Sequence, residues 1–371
     1  THLGYSDLNK IDPVTGINQR ESDFYNAWWH AIDKILVLRP DFVIHAGDLF
    51  QSPRPNNRAI RVALEGIQKL GEADIPFVVV ASNHSTPRIR HTGSIFESIA
   101  LFPYVKAAYK SQYERFRLGN CAIHCIPHCP LSEELTAAYE AVQLDSTARF
   151  QILATHGAWR ESSGELVGSV GEFNEQFIEN PEARLHLTFD YIALGHYHKY
   201  LEVASNAFYS GSTERTSFNE IGYTSGLILV DLVENTRQYI KIPSRPMVAI
   251  GPIDCSRQHN EEVYAAIENE SDSIPDGCLL RLELVEVARE TLLTLDMQRI
   301  DALFPKALYV EKILQPSEEN DLLRSTTSIG SLPAEFERYI EEQDEITLDK
   351  EKFLQLGLTL LDLADQDEPI G

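Results

Sequence analysis

Asp48, Asn83, His156, His196 and His198 each stand just past a short apolar run of this chain. The fragments are Gly47-Asp48-Leu49-Phe50, Ser82-Asn83-His84, Thr155-His156-Gly157 and Gly195-His196-Tyr197-His198. The runs before them are 42–46, 77–81, 150–154 and 191–194. Runs of that length, bounded by Gly and polar residues, read as strands buried on both faces of a helix-covered sheet. Ligands of such sheets bind beyond the carboxyl ends of the strands. One carboxylate, one amide and several imidazoles delivered there form a mixed oxygen and nitrogen cage. The carboxylate is the natural bridge between two cations, and the imidazole and amide donors suit Mn, Fe or Zn better than Mg. Two such cations roughly 3.5–4 Å apart can clamp the attacking and leaving oxygens of an in-line phosphoryl transfer. The chemistry implied is metal-dependent phosphoester hydrolysis.

The elements that must position these residues alternate along the chain. Residues 21–38 carry Phe24, Trp28, Ala31, Ile32, Ile35 and Leu36 at helical spacing, and Pro40 ends that helix. A second helix is predicted over about 57–70, a third over about 91–101, and a fourth over Glu133 to Val142. Residues 207–242 alternate turn signals with apolar pairs, as sheet-edge hairpins do. A break at Pro243 to Pro246 precedes a small α/β unit of strands 247–250, 279–285 and 307–312 with helices at about 259–269 and 296–303. The polar stretch from Pro316 to Pro333 reads as a linker. Two amphipathic helices in 334–364 either dock on a partner or pack back on their own domain. The organisation expected is 1–243, 244–315, a linker over 316–333, and a helical segment over 334–371.

The bulk numbers bound this reading loosely. With 371 residues, 43% hydrophobic and 24% charged, the chain is ordinary for a globular protein with one or two appendages. No apolar stretch approaches the roughly 20 residues that span a bilayer, so no membrane role is expected. Lys plus Arg number 32 against 56 Asp plus Glu, a net charge of −24, which argues against a general nucleic-acid binder. The acid is concentrated after residue 260, however, and Arg54, Arg58, Arg88 and Arg90 follow the Asp48 and Asn83 fragments closely. These four are candidate contacts to a nucleic-acid backbone. Five cysteines without a pairing pattern fit a reducing cytosol. Cys121, Cys125 and Cys129 do not have zinc-site spacing, and Cys121 to Ile126 reads as a core strand.

Beyond the four strand-end fragments, the chain carries His2-Leu3-Gly4-Tyr5, Arg54-Pro55, Lys199 after His198, Gly211-Ser212-x-x-Arg215 and the Arg245-Pro246 junction. By these, residues 1 to about 312 resemble the nuclease subunit of the double-strand-break repair complex. This is the SbcD-type subunit of bacteria, known as meiotic recombination eleven in archaea and eukaryotes. It is a branch of the calcineurin-like metallophosphoesterases. The resemblance implies an α/β fold with a β-sandwich core flanked by helices, a small α/β capping domain and C-terminal helices. It also implies two divalent metals, Mn foremost. His2 and His198 would bind the first, Asp48 would bridge both, and Asn83, His156 and His196 would complete the second. His84 would meet the scissile phosphate and protonate the leaving oxygen. Ser85 stands where the family carries Asp or Glu to support that histidine, and Gln51 stands where many relatives have a second histidine. The family's Asp two positions before His2 falls ahead of Thr1, which reads as a truncation.

The function implied is a Mn-dependent 3′–5′ exonuclease and single-strand endonuclease acting on DNA. It would work as a homodimer with a coiled-coil ABC-type ATPase held by the C-terminal helices. Leu64, Ile67, Ile95 and Ile99 could form the dimer seam or ordinary core. The place of action would be the nucleoid-associated cytoplasm, or the nucleus of a eukaryote. Two other readings stand beside it: a phosphatase or cyclic-nucleotide phosphodiesterase of the same fold, and a catalytically weak scaffold that tethers DNA ends.

Overall fold

The computed structural model describes residues 1–13, 15–87, 89, 92–160, 175–178, 185–256, 258–271 and 273–317, with 336, 340, 350 and 352–358 near the C-terminus. Arg88, Arg90, nearly all of the expected linker and most of 334–371 lie outside the described residues.

Two helices open the fold. α1 (Gln19–Leu38) starts where the Asn18 side chain accepts from the backbone of Arg20 and Glu21, and ends at Arg39 in the left-handed region, just before Pro40. α2 (Asn57–Glu72) is capped by Asn56. Gly66 lets the two approach, since a Cβ there would stand 2.3 Å from Trp28 Nε1. That nitrogen donates to Val62 O at 3.1 Å.

Strands β1 (Val43–His45), β2 (Phe77–Val80) and β3 (Val105–Ala108) form an all-parallel sheet in that order. The short helix α3 (Ile95–Ile99) lies between the last two in sequence. β4 (Glu114–Leu118), β5 (Cys121–Ile126), α4 (Ser132–Glu140), β6 (Phe150–His156), β7 (Ala158–Trp159), β8 (Phe177–Ile178), β9 (Tyr191–Gly195), β10 (Leu201–Ala204) and β11 (Ala207–Tyr209) follow. The second sheet has the order β10-β11-β9-β6-β5-β4, with its central strands parallel. β12 (Gly226–Asp231) and β13 (Thr236–Lys241) make the expected hairpin.

Side-chain alternation stacks these layers. Val78 and Val80 meet Ile123, Ile152, Ala154 and Phe208 between the two sheets. Phe77 and Val79, pointing the other way, pack with the α1 and α2 residues Trp28, Ile32, Ile67 and Leu70. Leu153 and Ile192 join Ala138 of α4 on the far face. The result is the β-sandwich flanked by helices that the sequence led one to expect. All four residues of β2 are buried. Each buried Val or Phe contributes about 1.5–3 kcal/mol, against about 1 kcal/mol for a typical hydrogen bond. Packing, more than polar bonding, therefore sets where the turn after β2 sits.

The sequence reading missed β3 and β4, and the third helix is shorter than predicted. Ile67 and Ile99 are wholly buried within the chain's own core, so they are unavailable for a dimer seam; Leu64 and Ile95 are half-buried.

The chain forms two compact units, the first holding residues 1–249, 273–281 and 304–311. Within it a polar network fixes the loop after β11. Buried Arg20 bonds Asp23 at 2.7 Å and also the carbonyl of Arg215. Arg245 grips both oxygens of Asp23 at 2.5 Å, and its backbone donates to Glu214 at 2.8 Å. Arg215 donates to Tyr223 O at 2.8 Å and to Ser244 Oγ at 3.0 Å. The Arg215 and Arg245 motifs are thus architectural. The second unit comprises 250–272, 282–303 and 312 onward. Its helices are α5 (Asn260–Ser271), α6 (Arg289–Thr294) and α7 (Met297–Ala302). Strands β14 (Met247–Asp254), β15 (Leu279–Val287) and β16 (Tyr309–Pro316) pair in that order. Among the described residues no helix is long and apolar enough to cross a membrane.

Candidate metal centre

The strand ends bring the expected donors together around Asp48. β1 stops at His45, and Gly47 and Asp48 both take left-handed backbone angles, φ +103° and +56°. A side chain at Gly47 would place its Cβ 2.1 Å from His156 Nδ1, so only glycine fits there. His2 (φ +48°) and His196 (φ +121°) are also left-handed. Three of the proposed ligands thus occupy backbone regions that non-glycine residues rarely adopt, a form of strain that clusters at functional sites.

Asp48 Oδ2 lies 3.6 Å from His2 Nε2 and 3.5 Å from His156 Nε2, midway between two groups of donors. On one side, His2 Nε2 faces His198 Nε2 at 2.9 Å. On the other, His156 Nε2 faces Asn83 Oδ1 at 3.0 Å, and the His196 ring packs against His156 at a centroid distance of 5.4 Å. Donor atoms of His2, Asp48 and His84 all lie within 4.8 Å of one another.

Four of the imidazoles are aimed by fixed acceptors. His156 donates from Nδ1 to Ala46 O at 2.9 Å. His198 does so to Glu220 Oε1 at 2.8 Å, and Glu220 is itself held by the Thr216 hydroxyl at 2.6 Å and backbone N–H at 2.9 Å. His84 donates from Nδ1 to Gln51 O at 3.1 Å, with its ring edge-on to His2. Such outer bonds fix the tautomer and present Nε2 to the interior. His196 differs, with Nε2 bonded to Glu175 Oε1 at 2.6 Å.

Electrostatics prepare these groups as ligands. Burial drives the pKa of His2 well below its ordinary value and that of His156 down to about 4, in both cases against the pull of Asp48. Burial works to raise Asp48, but the surrounding imidazoles hold its carboxyl well below the usual range. At neutral pH His2 and His156 therefore present neutral imidazole lone pairs beside an ionised carboxylate, the protonation state that metal binding requires. Asp48 Oδ1 and His2 Nδ1 are buried without a hydrogen-bond partner among the described residues. A buried carboxylate oxygen left so is costly unless it meets a cation. The donor set fits divalent metal ions.

Two expectations need correction. Ser85 does not support His84: it is wholly buried, and its hydroxyl accepts from Ser82 N at 2.8 Å while lying 3.1 Å from Ser82 Oγ. It closes the turn that carries Asn83 and His84, and the backbone of Gln51 takes over the orienting role. Arg58 bonds both oxygens of Glu21 at 3.1 and 3.2 Å, which engages it in the scaffold, whereas Arg54 is exposed. Glu220, Glu175 and the carbonyls of Ala46 and Gln51 escaped the sequence reading.

Residues 2–200 match the Calcineurin-like phosphoesterase family, a span that includes every proposed ligand. The chain is 31% identical over 264 residues to "DNA double-strand break repair protein Mre11" of Methanococcus maripaludis, covering 66% of this chain and 65% of that one. It is likewise 31% identical over 268 residues to the protein of the same name from Thermoplasma acidophilum, covering 67% and 66%. The chain thus spans a little under two thirds of the length of these relatives.

Proposed function

This chain belongs to the calcineurin-like phosphoesterase family, and from that premise we propose that it is a metal-dependent DNA nuclease of double-strand-break repair. The observation that carries the reading is the placing of two donor groups on either side of Asp48, each aimed by buried acceptors. The family works with divalent metal ions; two of them, Mn foremost, are part of the proposal. His2, His198 and Asp48 would hold one, and Asp48, Asn83, His156 and His196 the other. When bound, the pair neutralises charge on the phosphoryl group and acidifies water.

The remaining work falls to the chain's own residues. Because the Gln51 carbonyl holds His84 by Nδ1–H, the proton this ring exchanges is the one on Nε2, which it passes to the leaving oxygen. The same bond orients the His84 ring through a group other than Ser85, which counts against a catalytically silent scaffold. Arg54 serves as a contact to the DNA backbone. Residues 244–315 act as a capping domain that helps hold DNA, 334–371 bind a coiled-coil ABC-type ATPase, and the protein works as a homodimer. DNA repair is what the names of its relatives state, and the donor geometry suits the divalent metal ions with which the family works.

The test is cleavage of single- and double-stranded DNA with Mn2+, with Mn2+ binding followed by calorimetry. His84→Ala is expected to lose cleavage by at least 100-fold while binding metal as the parent does; Asp48→Asn is expected to lose both. A parent that hydrolyses p-nitrophenyl phosphates but no DNA would show a phosphatase instead.

A further inference from the structure

Beside the metal centre lies a cluster of tyrosine rings that the chemistry above does not use. Lys199 and Tyr200 directly follow the proposed ligand His198, so Tyr200 sits within about 7 Å of it along the backbone. The Tyr200 ring packs against Tyr239 at a centroid distance of 4.7 Å, tilted by 47°. The Lys199 ammonium lies 5.8 Å from the centre of the Tyr223 ring. Tyr200 keeps 38% of its surface exposed, Lys199 is exposed, and Tyr223 and Tyr239 are half-buried. A single exposed tyrosine is ordinary. Three rings and a cation gathered next to a metal donor are a surface with a chemical character of its own.

The backbone under this surface is held in place. Ser212 N donates to His198 O at 2.9 Å. Gly211, at φ +78°, brings its chain against residues 198–200, since a Cβ there would stand 2.8 Å from His198 O and 3.0 Å from Tyr200 N. The Tyr239 hydroxyl donates to Thr224 O at 2.6 Å, and Arg215 donates to Tyr223 O at 2.8 Å, so the 223–224 turn is fastened at two successive carbonyls. Rings mounted on such backbone lose little freedom when a ligand settles on them.

Aromatic faces beside an ammonium are what unpaired nucleobases stack on, with the cation meeting the phosphates between them. The bases of a duplex already stack on one another and do not offer their faces. Affinity gained in this way does not depend on overall charge, which at −24 cannot supply the usual electrostatic share. We propose that Tyr200 and Tyr223, with Tyr239 packed against the first and Lys199 beside the second, form a stacking platform for the unpaired bases of single-stranded DNA. The proposal rests on the DNA-nuclease reading above and deepens it by specifying how an unpaired strand is held next to the metal centre.

The experiment titrates the full chain into a short fluorescein-labelled oligothymidylate in EDTA, where metal-dependent cleavage is off, and reads Kd by anisotropy over a range of salt. Tyr200→Ala and Tyr223→Ala, each checked for folding by circular dichroism, are expected to weaken binding by at least about fivefold. Neither is expected to change the Kd of an abasic oligonucleotide of equal length or of a blunt duplex. Tyr200→Phe and Tyr223→Phe keep the ring and are expected to bind as the parent does. Lys199→Ala is expected instead to lower the slope of log Kd against log salt by about 0.7, which the tyrosine variants leave alone. A parent that does not bind oligothymidylate, alanine variants that bind it at parental affinity, or a loss shared equally by the abasic strand would each overturn the proposal. If binding depends on the rings as expected but the parent cleaves no DNA with Mn2+, the nuclease reading fails and the platform stands.

Discussion

Glu220 Oε1 lies 2.8 Å from Nδ1 of His198, and that bond turns the opposite nitrogen of the ring to face His2 at 2.9 Å. Burial works to raise the Glu220 carboxyl, but the bonds from His198 and Thr216 bring it below its ordinary value, so it is ionised at neutral pH. The loop that presents it is anchored by the Arg20, Asp23 and Arg245 network through Glu214 and Arg215. Glu220→Ala is expected to weaken the first Mn2+ equivalent by about 10–100-fold, with Glu220→Gln intermediate, as read by titration calorimetry. Unchanged affinity for both equivalents in Glu220→Ala would show that His198 is held by packing alone.

How far such relationships were legible in the sequence depends on what carries them. Asp48, Asn83, His156 and His196 announced themselves because each follows an uninterrupted apolar run that stands out as a strand, even where, as in β1, the strand is only half-buried, and the carboxyl end of such a strand is where ligands bind. Strand β4 left no such mark. It is an edge strand, Glu-Arg-Phe-Arg-Leu, with alternating exposure, and its polar residues masked it. β3, only Val105–Ala108, is too short for a pattern. The groups that aim the imidazoles were hidden for a different reason. Ala46 and Gln51 act through backbone carbonyls, which no residue type reports. Glu175, in a loop, and Glu220, at the end of a 3-10 turn, are two among 56 acidic residues, and nothing in their spacing distinguishes them. Ser85 was legible as a departure from a family pattern, yet its actual bond to Ser82 is a local turn that only the fold reveals.

That turn can be tested through stability. Ser85 is fully buried, and its hydroxyl is the acceptor for Ser82 N, so Ser85→Ala would leave a buried N–H without that bond. The expected cost is about 1–3 kcal/mol, measured as a lower urea midpoint at unchanged m-value. Because Gln51 still holds His84, kcat on DNA is expected to stay within about threefold of the parent under conditions where the variant is folded. A large loss of kcat with no loss of stability would instead mean that Ser85 acts on His84 directly.

His124 supplies a pH test away from the metal donors. It is wholly buried in β5 as a neutral ring, with the Tyr113 hydroxyl 2.8 Å from Nδ1 and Gln151 Oε1 2.9 Å from Nε2. Burial lowers its pKa from 6.5, so the unfolded chain takes up a proton here more readily than the folded one. The contribution is therefore fully present above pH 6.5 and is lost as pH falls below that value, by at most about 1.4 kcal/mol per unit for one proton. In the metal-free protein, His124→Gln is expected to flatten the decline of unfolding free energy between pH 6.5 and 5, whatever constant offset the substitution brings. Parallel curves for parent and variant would mean that the ring is protonated as easily in the fold as outside it.

A cavity of about 960 Å³ opens beside edge strand β1, lined by Phe42, Ile44, Ile152, Phe208, Ile228 and Val230, among others. Residues 1–3 run parallel to 48–50, with His2 N donating to Asp48 O at 2.7 Å and a bridge between Leu3 and Phe50. Among the described residues β1 is an edge strand, paired with β2 on one side. An extension of about six residues ahead of Thr1, alternating apolar and polar, has the reach and period to pair with β1 and to place about three side chains in the gap. Burying each would contribute about 1.5–3 kcal/mol, opposed by about 1–2 kcal/mol per residue of backbone ordering, with ladder hydrogen bonds of about 1 kcal/mol each tipping the balance. A net gain of about 1 kcal/mol would raise Tm by roughly 2–4 °C. Calorimetry on the extended chain checks this against an all-polar extension of equal length, which is expected to leave Tm where it was. Equal behaviour of the two extensions would mean that the cavity does not accept a strand.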